Sequence, residues 1–254
     1  MVELRRNRSV QAGLRFVLPL LAAAALALVL RQLLPAESVL PWALSPAVVA
    51  ATCWAGQLWY VGYSVETIGD PWRRLFGLAN TLTLARGALY AVVAGFVVVP
   101  AGTGLPWVPA LCYGVGVAFD KLDGTVARTV GQPTELGRRL DTAFDTFGFV
   151  AAPLVAVVWG LLPVWYLSIS AARYVFIAGI RWRRFRGLAV YDRPDSDLGK
   201  YLAGVQMAFI TVSLAPPVPT DLVWTVAPVV LAPSLAVFLR DYLAVSGRLP
   251  GRDG

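Results

Sequence analysis

Four aspartates, Asp120, Asp123, Asp141 and Asp145, fall within the stretch FDKLDGTVARTVGQPTELGRRLDTAFD, which has apolar runs on both sides. Asp120 and Asp123 are three residues apart and Asp141 and Asp145 are four apart, so on helices each pair shares a face. Two neighbouring helices with facing pairs would make one cluster of four carboxylates. An Asp at the centre of a membrane span costs about 2.5–3.5 kcal/mol on insertion scales. Like charges packed that closely cannot all stay ionised without compensation. The chain has no His and too little nearby Lys to supply it. Divalent cations would do so. Hard oxygen ligands in that number suit Mg²⁺, Mn²⁺ or Ca²⁺, and carboxylates around two metals about 3.5–4 Å apart serve displacement at phosphorus. The residues between the pairs fit a phosphate ligand. Gly124 and Ala127 lack bulk and let a ligand approach the backbone. Arg128 can grip a diphosphate through two parallel hydrogen bonds. Gly137, four residues before Asp141, suits a tight entry to the second helix.

The elements that must position these groups are read from the apolar runs. Of 254 residues, 57% are hydrophobic and only 15% charged, where a soluble domain is about a quarter charged. That composition predicts an all-α polytopic membrane helix bundle. The net charge of +7 is spread over many connections instead of being gathered on one polar domain, so no nucleic-acid partner is expected. Cys53 and Cys112 sit far apart in apolar runs and read as small core residues. Eight segments are long and apolar enough to span: Ala12–Leu34, Ala43–Val65, Leu78–Val99, Leu105–Val126, Leu140–Leu161, Val164–Ile180, Leu198–Leu214 and Leu222–Val245. Lys and Arg alternate between the connections. Arg5, Arg6 and Arg8, then Arg73 and Arg74, then Arg128, Arg138 and Arg139, then Arg181 to Lys200, then Arg248 and Arg252 all fall on one side. The positive-inside rule makes that side cytoplasmic, with both termini and the aspartate ends of the fourth and fifth spans on it. The polar stretch GDPWRRLFG separates an N-terminal hairpin, residues 1–74, from residues 75–254, which hold the chemistry.

The order Asp120-x₂-Asp123-Gly124-x₂-Ala127-Arg128-x₈-Gly137-x₃-Asp141-x₃-Asp145 resembles the signature of the CDP-alcohol phosphotransferases, also called CDP-alcohol phosphatidyltransferases, at every defined position. ANTLTLAR, residues 79–86, is similar to the Asn-x-x-Thr segment of that family's first core helix. ARYVFIAGIR and GKYLAGVQM look like basic segments of its later core helices. The resemblance implies a six-helix catalytic core preceded here by two added N-terminal spans. It implies two divalent cations, Mg²⁺ or Mn²⁺, on Asp120, Asp123, Asp141 and Asp145, with Asp145 also the general base. Asn80, Thr83, Gly124, Ala127, Arg128, Thr134 and Gly137 would meet a CDP-linked lipid donor. A phosphatidyl- or archaetidyl-type group would pass to the hydroxyl of a small polar alcohol, with CMP released. A typical member is a homodimer in the cell membrane with its site open to the cytoplasm.

Arg173, inside an apolar span, with Arg181 and Lys200, could form a pocket for an acceptor that carries a phosphate. Glycerol phosphate users in the family tend to have Arg-Glu where this chain has Arg173-Tyr174, so the acceptor stays open. Arg183, Arg184 and Arg186 read as positive-inside residues touching anionic lipid heads. A different function, cation or proton transport through the aspartates, is the alternative. Transport sites usually lie near the midplane between inverted repeats, whereas these carboxylates lie near one interface and no repeat is visible.

Overall fold

The computed structural model describes residues 21, 25, 45–68, 78–102, 105–129, 134–192 and 196–249, with the side chains of Leu78 and of residues 123–129 left aside. Among the described residues seven α-helices of several turns follow one another: α1 Pro46–Ile68, α2 Leu78–Gly95, α3 Val108–Thr129, α4 Glu135–Val158, α5 Ser168–Phe185, α6 Asp197–Ser213 and α7 Thr220–Val245. Short 3-10 turns at Phe96–Val98 and Val164–Leu167 extend α2 and lead into α5. Among the described residues there is no strand. The expected first span, Ala12–Leu34, and the boundary stretch at 69–77 lie outside the described residues, Leu21 and Ala25 excepted.

Among the described residues, three helices are long and apolar enough to cross a membrane: Ala79–Val98, Glu135–Val158 and Thr220–Val245. Three of the other four fall short in length or through their charges. α6 has only 17 residues. α3 carries Asp120, Lys121, Asp123 and Arg128, and α5 carries Arg173, Arg181, Arg183 and Arg184. Helices so charged sit in lipid only where those groups face protein, water or the interface.

The chain forms two compact units, residues 1–155 and 156–254. In the first, α1 and α2 run antiparallel, and Gly95 lies so close to the Pro46 carbonyl that an added Cβ would stand 2.5 Å from it. α4 contributes Leu136, Leu140 and Phe144 to an apolar cluster with Val61 and Val65 of α1. Tyr90 of α2 is fully buried, its ring against the backbone of Gly116 in α3 and Gly148 in α4. Those glycines admit the ring and thereby fix the register of three helices. Gly148→Ala would put its Cβ 2.5 Å from the Tyr90 ring. It is expected to destabilise the protein by about 1–3 kcal/mol, seen as a lower thermal midpoint in detergent; an unchanged midpoint would contradict this packing.

In the second unit, Phe176 of α5 meets Phe238 and Tyr242 of α7 edge-on, with ring centroids 6.4 and 6.3 Å apart. Gln206 of α6 is buried and fully engaged. It accepts from the Tyr166 hydroxyl and donates to the Val230 carbonyl and Ser234 Oγ, both at 2.9 Å. Pro233 has no N–H, which leaves the Val229 carbonyl without its helical donor, and Gln206 bonds the neighbouring carbonyl of Val230. Arg183 donates to the Ala189 carbonyl at 2.8 Å and the Ser246 carbonyl at 3.1 Å, tying the segment after α5 to the end of α7. Arg183, expected at lipid heads, thus also holds backbone carbonyls through Nε and Nη2. Arg186 instead lies over the Trp182 ring, 4.7 Å from its centroid.

Candidate metal centre

α4 begins before its apolar run does. Thr134 Oγ1 accepts from the Gly137 amide at 3.0 Å, which caps the helix. Glu135 pairs with Arg138 at 2.8 Å and Arg139 at 3.1 Å across its first turn. The helix therefore starts at Glu135, five residues ahead of the expected Leu140, because hydropathy marks lipid depth and not helix length. The early start places Asp141 and Asp145 both well inside the helix, where their four-residue spacing puts them on one face.

On α2, Asn80, Thr83 and Arg86 recur at three-residue steps, and all three are buried. Gly137 lies against Asn80, where an added Cβ would stand 3.0 Å from Asn80 Oδ1 and 3.1 Å from Thr134 Oγ1. Asn80, distant in sequence, thus meets Thr134 and Gly137 at the entry to α4. Thr83 Oγ1 donates back to the Ala79 carbonyl at 3.1 Å.

Arg86 organises the centre. It is fully buried, and its Nη1 donates to Asp120 Oδ1 of α3. Its Nη2 donates to Asp141 Oδ1 of α4 at 2.5 Å and lies 3.4 Å from the Asp141 carbonyl. Asp145 Oδ1 stands 3.3 Å from Nη1. One guanidinium thus holds carboxylates from two helices in a forked, charge-assisted geometry. One oxygen from each of Asp120, Asp141 and Asp145 lies within 4.8 Å of the others. The cluster is open on one side, since the Asp141 side chain is 42% exposed and Asp120 only 16%.

The chain offers no His and too little nearby Lys to compensate these charges, and the structure adds Arg86, which does so in part. It was overlooked because it stands 34 residues upstream of Asp120 and reads, in a basic chain, as one more positive residue. With all three carboxylates ionised, Arg86 leaves a net charge of −2 among them. Lys121, 3.7 Å from Asp120 Oδ2, is itself 70% exposed and screened by solvent, so it offsets little of that. Converging hard oxygens, a residual double negative charge and an open edge fit a divalent cation.

Asp123, Gly124, Ala127 and Arg128 occupy the last turns of α3, and their side chains lie outside the described residues. The three residues expected at an acceptor pocket all fall in the second unit. Arg173 is half-buried in α5. Arg181 is exposed on the same helix beside Tyr174, Ile177 and Trp182, about 12 Å of axial rise further on. Lys200 is exposed in the first turn of α6, 3.3 Å from Asp197. Cys53 and Cys112 are unbridged, and both are half-buried where core positions were expected.

Comparison with known proteins bears on this centre. The family model described as CDP-alcohol phosphatidyltransferase matches residues 76–239, a range that holds Asn80, Arg86 and all four aspartates. Proteins named "Putative cardiolipin synthase" from Mycobacterium bovis and from two strains of Mycobacterium tuberculosis are each 30% identical over 145 residues. The matched region is 56% of this chain, and the chain spans 66% of the length of those curated relatives. No solved structure matches.

Proposed function

Because this chain belongs to the CDP-alcohol phosphatidyltransferase family, we propose that it is a membrane transferase of phospholipid synthesis. It moves a phosphatidyl- or archaetidyl-type group from a CDP-linked lipid to an alcohol hydroxyl. The observation that carries this reading is the convergence of Asp120, Asp141 and Asp145 on one open cluster inside the family-matched range.

Asp120, Asp123, Asp141 and Asp145 are the residues to hold two divalent ions, Mg²⁺ or Mn²⁺. Such ions, when bound, neutralise diphosphate oxygens and stabilise charge that builds on them during displacement. The Asp145 carboxylate takes the proton of the acceptor hydroxyl. That oxygen forms the new bond to the lipid-side phosphorus, the diphosphate bridge breaks, and CMP leaves with the bridging oxygen. Asn80, Thr83, Gly124, Ala127, Arg128, Thr134 and Gly137 bind the CDP portion. The meeting of Asn80, Thr134 and Gly137 at the start of α4 supports this grouping. Arg173, Arg181 and Lys200 serve the acceptor. By the name of the mycobacterial relatives, cardiolipin is the product to test first, ahead of transfer to glycerol phosphate or inositol phosphate. Eight spans, with residues 1–74 as an added hairpin before a six-helix core, both termini and the site at the cytoplasmic face, and a homodimer complete the proposal.

The test is CMP release from a CDP-lipid by the full chain in detergent or liposomes. Activity should require Mg²⁺ or Mn²⁺, vanish with chelator and return when metal is restored. Metal-dependent ion flux without CMP release would overturn the transferase reading in favour of transport.

A further inference from the structure

The metal reading leaves one group without a task, and that group is the best placed of all. Arg86 is fully buried, so no water compensates its charge, and its acidic partners come from two helices, α3 and α4. Its hold is one-ended. Both Nη atoms are engaged by carboxylates, while Nε–H has no acceptor among the described residues. The guanidinium can therefore retreat along its own side chain without breaking a bond at Nε. The oxygens it grips belong to the carboxylates that a cation would need. A dication and a guanidinium cannot both sit close to Asp120 and Asp141 without strong repulsion.

Resting on the metal reading above, we infer that Arg86 is the resident counter-cation of this centre. It keeps the carboxylates assembled before metal arrives, and it competes with the incoming ion for Asp120 and Asp141. Two consequences follow from the charge. Without metal, loss of Arg86 leaves partly buried carboxylates that repel one another, so the metal-free protein loses stability. With metal, the same loss removes a repelling charge, so the ion binds more tightly. Arg86 is thus a positioning residue whose removal shifts metal-free stability and metal affinity in opposite directions. A residue that merely filled space would lower stability equally with and without metal. One that merely oriented the ligands would weaken metal binding when removed.

The experiment is Mn²⁺ titration of the full chain in detergent, wild type against Arg86→Met, read by calorimetry and by thermal midpoint. The expected result is a lower midpoint for the metal-free variant, a larger Mn²⁺-induced rise than in wild type, and an apparent Kd for Mn²⁺ lower by about tenfold or more. Arg86→Lys keeps the charge but not the fork, and should tighten Mn²⁺ binding less than Arg86→Met does. Equal or weaker Mn²⁺ binding by Arg86→Met overturns the inference and leaves the metal reading standing. Failure of wild type to bind Mn²⁺ overturns both. If the Met variant folds only when Mn²⁺ is present, the inference holds. If it folds under neither condition, structures of wild type with and without Mn²⁺ decide. Release of the Nη contacts to Asp120 and Asp141 on binding supports the inference, and their retention beside bound metal overturns it.

Discussion

Asp145→Asn is expected to lower CMP release from a CDP-lipid by about 10³-fold or more while leaving the helices in place. A positioned general base contributes about 10²–10⁴-fold, and an amide cannot accept the acceptor's proton. The same change weakens one metal ligand, which pushes the loss toward the upper part of that range. The fold should survive for a geometric reason. Arg86 keeps its direct contacts to Asp120 and Asp141, and its more distant partner at 3.3 Å is the one altered. The check is kcat at saturating Mn²⁺ alongside far-ultraviolet circular dichroism. A variant within tenfold of wild type would remove Asp145 from the chemistry.

Asp141→Asn should abolish metal binding in the useful range, with an apparent Kd for Mn²⁺ raised by at least about 100-fold. Changing an outer-shell partner of a metal costs about 10–100-fold in affinity, so the loss of a direct charged ligand belongs at or beyond the top of that range. Asp141 is the most exposed of the three clustered carboxylates and forms the open edge of the cluster. Asparagine keeps an oxygen for Arg86 Nη2, so thermal stability without metal should change little. Calorimetric titration is the measurement, and wild-type affinity in the variant would count against the assignment. Asp120→Asn is expected to behave alike. The opposite signs expected for Asp141→Asn and Arg86→Met on Mn²⁺ affinity give the charge argument its discriminating power.

The aspartates were legible in the sequence because helical spacing is local: residues three and four apart share a face wherever the helix ends up. The helices were legible for the same kind of reason, since apolar runs of this length have few other uses. Local spacing does not tell which distant side chain enters the cluster. Arg86 comes from another helix, and its burial depends on Tyr90 one turn further along fitting between Gly116 and Gly148. That fit is a property of three helices together. The start of α4 was misplaced because Thr134, Glu135, Arg138 and Arg139 build helix from capping and ion pairs, which hydropathy does not register. Arg183 was read as a topology signal and turned out to hold two carbonyls, Ala189 and Ser246, that only the fold brings near it. Positive residues at the ends of apolar helices can serve topology or structure with the same sequence signature.

Anomalous diffraction from crystals of the full chain grown with Mn²⁺ tests the central claim most directly. The account predicts Mn²⁺ peaks within ligand distance, about 2.0–2.6 Å, of carboxylate oxygens of Asp120, Asp141 and Asp145. Crystals that bind Mn²⁺ elsewhere, or leave those three carboxylates without metal at saturating concentration, would contradict it.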